Sequence, residues 1–284
     1  MAHSIARRRV AGRGFRLYIP LVFILVTTLF PFYWMVVTSL KPTQELYSVD
    51  ANPFIVLKPT LAHYTYLFGQ TLYLTWLKNT MFVTVGATAI SMVASIPAGY
   101  ALARLRFPGA SFLGWLIFVT YLVPPTLLFI PMARVVDFLG LSDTLWALIL
   151  VYPTFLIPFG TWLLTGYFRS IPRDLEESAQ VDGCGKLGAM VRIAVPLALP
   201  GLLSVGIFSF TLSWNEFLYA LTLISDPTLK TVPVGAPEQL MIGDAFRWGE
   251  LMASALLGSL PVAFFYSFFV DYFVAGMTAG AVKG

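Results

Sequence analysis

Six stretches of the chain carry no charged residue: 17–40, 79–103, 107–133, 144–168, 193–215 and 251–270. The shortest has 20 residues and the longest 27. A helix of about 20 apolar residues crosses the hydrocarbon core, so each stretch predicts a transmembrane span. A seventh charge-free run, 59–77, holds His63, Gly69, Gln70 and several Thr and Tyr residues. It reads as an interfacial helix on an external segment. Prolines punctuate the spans at 20, 31, 97, 124, 125, 131, 153, 158, 196, 200 and 261. Each interior proline removes a backbone hydrogen bond, so kinked helices are expected. Small residues in SIPAGYALA (95–103) and GLLSVG (201–206) predict close helix contacts. Asp143 and Asn79 are placed to cap the helices beside them.

Charge sets the orientation. With six spans and an internal N-terminus, the inner segments hold 12 of the 18 basic residues. A seventh span at 59–77 would send Arg104, Arg106 and the 169–192 loop outside, against the positive-inside bias. The layout is an all-α integral membrane protein with six transmembrane helices and both termini cytoplasmic. Residues 1–16 form a basic tail and 17–40 the first span. Residues 41–78 form the external segment, 79–275 a core with spans two to six, and 276–284 a C-terminal tail. Composition agrees, with 11% charged residues where soluble domains carry about a quarter. The RRR at 7–9, with Arg13 and Arg16, directly precedes a span, so the basic balance orients the chain and indicates no nucleic acid. The apolar run is longer than the core of a signal peptide, roughly 7–15 residues, so the first span is expected to remain. The lone Cys184 leaves no intrachain disulfide and no Cys-based metal cluster.

The loop between spans four and five, RSIPRDLEESAQVDGCGKLGAMVR, is the most informative stretch. Ser170, Pro172, Asp174, Glu176 and Glu177 make a helix start, with acidic groups at the positive end of the dipole. Leu175 and Ala179 share a face. Gly183 takes the C′ position, the other glycines ease the turn, and a second short helix carries Leu187, Met190 and Val191 towards Pro196. Residues 183–188, GCGKLG, spell a dinucleotide fingerprint, but a helical acidic stretch precedes them instead of a strand, and no βαβ unit exists. Leu187 follows Gly185-Lys186 where a P-loop needs Ser or Thr, so no nucleotide is expected there.

The spacing Glu177-Ser178-Ala179, three residues, Gly183, nine residues, Ile193, one residue, Val195-Pro196 resembles the EAA loop of ABC importer permeases. Ser178 and Val195 depart conservatively from that pattern. TSLKP (38–42), YALARLRFPG (100–109), SWNEFLYAL (213–221) and the ending AGMTAGAVKG are similar to the carbohydrate-uptake branch of the type I family, and to its maltose-type six-span subunit. The resemblance implies a coupling helix within 169–196, with Glu177, Ser178, Ala179, Asp182 and Gly183 as docking positions. It also implies a homologous second permease, an ABC ATPase dimer that holds ATP and Mg, and an extracytoplasmic solute-binding protein. The chain itself would carry no cofactor and hydrolyse nothing, at the inner (plasma) membrane. A sugar or sugar-like solute is implied, with glycerol phosphate or a polyol as the alternative.

Ionisable groups at membrane depth point to function. Trp214, Asn215 and Glu216, with the aromatic Tyr121, are candidates for the translocation path, Glu216 being equally readable as a structural group. Asp271 reads as structural. A proton-coupled secondary transporter would use Glu216 or Asp271 as its carrier. An intramembrane enzyme finds no support, because His3 and His63 stand in no ligand motif and no G-x-S-x-G occurs.

Overall fold

The computed structural model describes the backbone of residues 2–243 and 245–281, and side chains of 17–243 and 245–269. Asp271 and the basic tail therefore lie outside the described side chains. The described chain is mostly helical. In order come α1 (Ala2–Leu40), α2 (Thr43–Leu46), α3 (Ala62–Gln70), α4 (Tyr73–Arg104), α5 (Ala110–Leu122), α6 (Pro125–Phe138), α7 (Leu145–Val151) and α8 (Pro153–Ser170). There follow α9 (Arg173–Val181), α10 (Lys186–Ala189), a π turn (Met190–Ala194), α11 (Val195–Leu197), α12 (Leu199–Trp214), α13 (Leu218–Leu223) and α14 (Val232–Leu240). Two short strands, β1 (Met241–Ile242) and β2 (Ala245–Phe246), pair antiparallel before α15 (Trp248–Ala281). The chain is thus not purely α: this hairpin, with Gly243 at φ 58°, departs from the sequence expectation.

Four segments are long and apolar enough to cross a membrane: Leu17–Leu40, Tyr73–Arg104, Leu145–Ser170 and Trp248–Phe269. Two further pairs qualify only as bent spans, α5 with α6 at 98° and Lys186–Leu197 with α12 at 76°. The count among the described residues is therefore four to six. The first break has a local cause. Val123 and Pro124 each precede a proline and are held extended, at ψ 120° and 124°, because the following ring excludes the helical region. At the second break Pro200 has no N–H to give the carbonyl of Pro196, and Ala198 leaves the helix at ψ 6°.

The chain divides into two compact units. The first comprises 1–71 and 239–259. Within it, buried His63 places Nε2 2.7 Å from the Lys41 carbonyl oxygen and Nδ1 3.4 Å from Glu250. Glu250 also pairs with Arg247 at 3.1 Å, and that guanidinium stacks 3.6 Å above the Tyr66 ring.

The second unit, 72–238 and 260–284, holds the candidate site. Here α4 is the spine, packed on α8 and α12. Small residues allow the approach: a Cβ at Gly99 would stand 2.9 Å from Leu164 Cβ, and one at Gly160 only 2.8 Å from Ser95 Oγ. Apolar side chains fill the space on either side of this crossing. One cluster joins Val83, Ala87, Leu148, Tyr152, Leu156 and Tyr219; the other joins Tyr100, Leu164, Phe168, Ala194 and Val205. Helix α4 starts six residues before the charge-free run, so Asn79 is interior to it and caps nothing. Its Nδ2 donates to the carbonyls of Thr228 (2.8 Å) and Lys230 (2.9 Å). Asp143 is not the cap of α7 either. Thr144 Oγ1 accepts from Ala147 N at 3.3 Å, while Asp143, at φ 58°, turns its carboxylate to the backbone N–H groups of Ser225 and Asp226.

Candidate functional site

Helix α9 begins at Arg173, with Pro172 extended at its N-cap and Asp174 and Glu176 in the first turn. Its C-terminus is a Schellman turn. Gly183 N–H donates to the Gln180 carbonyl at 3.1 Å and Cys184 N–H to the Ala179 carbonyl at 3.0 Å, satisfying two carbonyls that would otherwise be orphaned. The geometry needs a left-handed residue, and Gly183 sits at φ 92° with nothing within 4 Å of where a Cβ would be. Gly185 is different: φ −68° is open to any residue, and Gly188 lies inside α10. Of the three glycines in GCGKLG, Gly183 alone is required by the backbone.

One face of α9 is fixed to α4. The Glu176 carboxylate accepts 2.7 Å from Tyr100 Oη and 2.6 Å from Arg104 Nε. Arg104 Nη2 also donates to the Ile171 carbonyl at 2.6 Å, holding the α8–α9 junction. The Arg104 and Glu176 side chains are only 7% and 5% exposed, so each charge depends on the other. The Tyr100 ring in turn sits edge-on to Phe168, 5.6 Å away. The sequence marks Glu176 only as a helix-start acid, Arg104 only as an orienting charge, and gives no individual role to Tyr100. The partners lie more than 70 residues apart, and no local pattern joins them.

The five predicted docking residues lie away from this clamp. Glu177, Ser178, Asp182 and Gly183 are exposed and Ala179 half-buried. Ser178 Oγ donates to the Asp174 carbonyl at 2.8 Å, so its hydroxyl is spent within the helix. Leu175, Val181 and Leu187 are exposed as well, Val181 at 88%. The result is a short helix clamped on its buried edge, with apolar and acidic side chains uncovered on the other.

The four path candidates do not form one cluster. Trp214 is buried and stacks on Phe210, ring centroids 5.6 Å apart. Asn215 is exposed, its Nδ2 bonded to the Thr211 carbonyl at 2.9 Å. Glu216 is half-buried, and its two oxygens accept from Tyr152 Oη (2.8 Å), Tyr219 N (2.9 Å) and Ala220 N (3.0 Å). It thereby satisfies the first N–H groups of α13 and ties that helix to the α7–α8 junction. Tyr121 stands apart on α5, exposed, 5.7 Å from the Phe159 ring.

The family model of the binding-protein-dependent transport system inner membrane component matches residues 95–279, which include all of α9 and α12. The chain is 39% identical to the sulfoquinovosyl glycerol transport system permease of Agrobacterium fabrum, over 96% of this chain and 95% of that one. It is 30% identical to the trehalose/maltose transport system permease of Thermococcus litoralis, over 94% and 96% respectively. Both relatives are transport system permeases. A bacterial ABC transporter involved in importing the polysaccharide alginate has the same fold, with TM-score 0.81, 21% identity, and coverage of 94% of this chain and 98% of that one. The chain belongs to the inner-membrane components of binding-protein-dependent transport systems, as a multi-pass ABC transporter permease.

Proposed function

We propose that the chain is a translocation subunit of an ATP-driven importer for a sugar or sugar-like solute, and that α9 is the helix through which ATPase subunits drive it. The carrying observation is the two-sidedness of α9. Its buried edge is bonded to α4 through Glu176, while Leu175 and Val181 on α9, and Leu187 on α10 just past the Schellman turn, are uncovered. A helix held this way moves with α4 when its open face is pushed. Glu177, Ser178, Ala179, Asp182 and Gly183 form the docking positions, in the spacing of the EAA loop.

Positive-inside bias puts this loop and both termini in the cytoplasm. ATP and Mg belong to the ATPase dimer, and no cofactor belongs to this chain. A homologous permease completes the pathway, and an external binding protein delivers the solute. The sugar class rests on the relatives that transport sulfoquinovosyl glycerol and trehalose or maltose; glycerol phosphate or a polyol is the alternative cargo. We assign Asn215 and Tyr121, both exposed, to the solute path, with Trp214 and Glu216 as its structural neighbours.

Reconstitution tests the reading. The chain with its partner permease, ATPase and binding protein should take up radiolabelled oligosaccharide only when ATP is present. Uptake by the chain alone on a proton gradient would instead make it a secondary transporter.

A further inference from the structure

The second unit carries an apolar cleft that the proposed cycle leaves unused. It encloses about 530 Å³ among the end of α4, α5 and α8, with Trp115, Phe118, Trp162 and Leu163 in its walls. A second cavity of about 500 Å³ shares Leu102, Ala110, Ser111 and Arg169 with it, so the two adjoin. Arg104, Arg106, Arg169 and Arg173 border this second space, and no acidic side chain does. Arg104 is committed to Glu176. Arg106, Arg169 and Arg173 are exposed and make no ion pair with any described residue.

Each part constrains the occupant. A small anion would suit the arginines but leave the aromatic cleft empty. A neutral lipid would fill the cleft and leave the three arginines without an ion-pair partner among the described residues. An amphiphile with an acyl chain and a phosphate satisfies both, because guanidinium groups bind phosphate oxygens with paired hydrogen bonds, and basic pockets between spans hold anionic headgroups. We propose that the cleft and its arginine rim bind one anionic phospholipid, the acyl chain lying between α5 and α8 and the phosphate among Arg106, Arg169 and Arg173. The assignment of this lipid to the inner leaflet rests on the orientation given under Proposed function; the site itself does not. Because Arg169 and Arg173 flank the α8–α9 junction, the lipid would brace the base of the coupling helix.

The test is native mass spectrometry of the full chain, assembled with its partners in mild detergent, with added phosphatidylglycerol, phosphatidylcholine or inorganic phosphate. One phosphatidylglycerol should be retained, phosphatidylcholine should not, and millimolar phosphate should fail to displace the bound lipid. Each basic group near an anionic surface contributes roughly a factor of five, so Arg106→Gln, Arg169→Gln and Arg173→Gln together should weaken retention by about 100-fold. Gly166→Leu supplies a second variant: it lines the cleft, and a Cβ there meets nothing within 4 Å, so the side chain enters the lipid's space without disturbing the core. It should lower retention while thermal stability holds. Equal retention of the two lipids, unchanged retention in both variants, or full displacement by phosphate would each overturn the site. So would its absence from the assembled complex, which would assign the cleft to a protein partner. Labelling of the single Cys184 by a membrane-impermeant maleimide, in right-side-out and inverted vesicles, reads the orientation separately. An external Cys184 would overturn the functional reading and the leaflet assignment without affecting lipid binding in detergent.

Discussion

Replacing Glu176 by Ala removes the carboxylate that both Tyr100 and Arg104 address and leaves a guanidinium that is 7% exposed without its counter-charge. Losing one partner of a buried pair costs about 3–5 kcal/mol. The loss should fall locally on α9 and the Ile171 junction, because the remaining contacts of α4 with α8 and α12 do not pass through Glu176. Converted at 1.4 kcal/mol per tenfold, amide exchange across Arg173–Val181 should accelerate by roughly 100- to several-thousand-fold, up to the limit set by wild-type protection. Hydrogen–deuterium exchange of the detergent-solubilised complex reads this peptide by peptide. Exchange within α4 at Val83–Ser91 should stay at wild-type rates. Arg104→Ala/Glu176→Ala removes both charges and should be milder than the two single costs added. Glu177→Ala, one residue along but exposed, should leave exchange unchanged and weaken only the ATPase interaction. Wild-type exchange in α9 of Glu176→Ala would refute the clamp.

Three further perturbations test other joints. Gly183→Val forces a β-branched residue into φ 92°, which costs about 1–2 kcal/mol, whereas Gly183→Asn should be better tolerated; both are read by ATPase co-purification and by uptake. Gly160→Ala brings a Cβ within 2.8 Å of Ser95 Oγ and 3.0 Å of Val205, so thermal unfolding in detergent should show a loss of about 1–3 kcal/mol. Glu216→Gln exchanges a two-oxygen acceptor for one oxygen and a donor, leaving at least one of three N–H or O–H groups poorly matched. A stability loss of about 1–3 kcal/mol with retained uptake per folded complex is expected. Full stability with lost uptake would give Glu216 a direct role on the path.

The apolar segments were legible because water and hydrocarbon sort residues by charge alone, and α1 ends at Leu40, where its charge-free run does. The bends were not legible. No charged residue marks Val123–Pro125 or Ala198, and proline by itself is a poor guide: Pro20, Pro31, Pro97 and Pro261 stay inside continuous helices. What distinguishes the first break is the Pro124-Pro125 pair, which restricts two successive residues. Within α9 the left-handed Gly183 followed from local backbone rules. The clamp did not, since Glu176 and Arg104 meet only after α4 and α8 have packed. Glu216 shows the same limit: a carboxylate at membrane depth invites a role in transport, yet its oxygens are occupied by Tyr152 and the start of α13.

The central claim is that the open side of α9 and the adjoining α10 meets the ATPase. Single cysteines at Leu175, Val181 and Leu187, in a Cys184→Ser background, would be paired with cysteines along the cleft of the ATPase subunit and oxidised within the assembled complex. The account predicts crosslinks at Val181 and Leu187 whose yield changes when ATP is added. An intact, active complex with no crosslink at any of the three positions would contradict it.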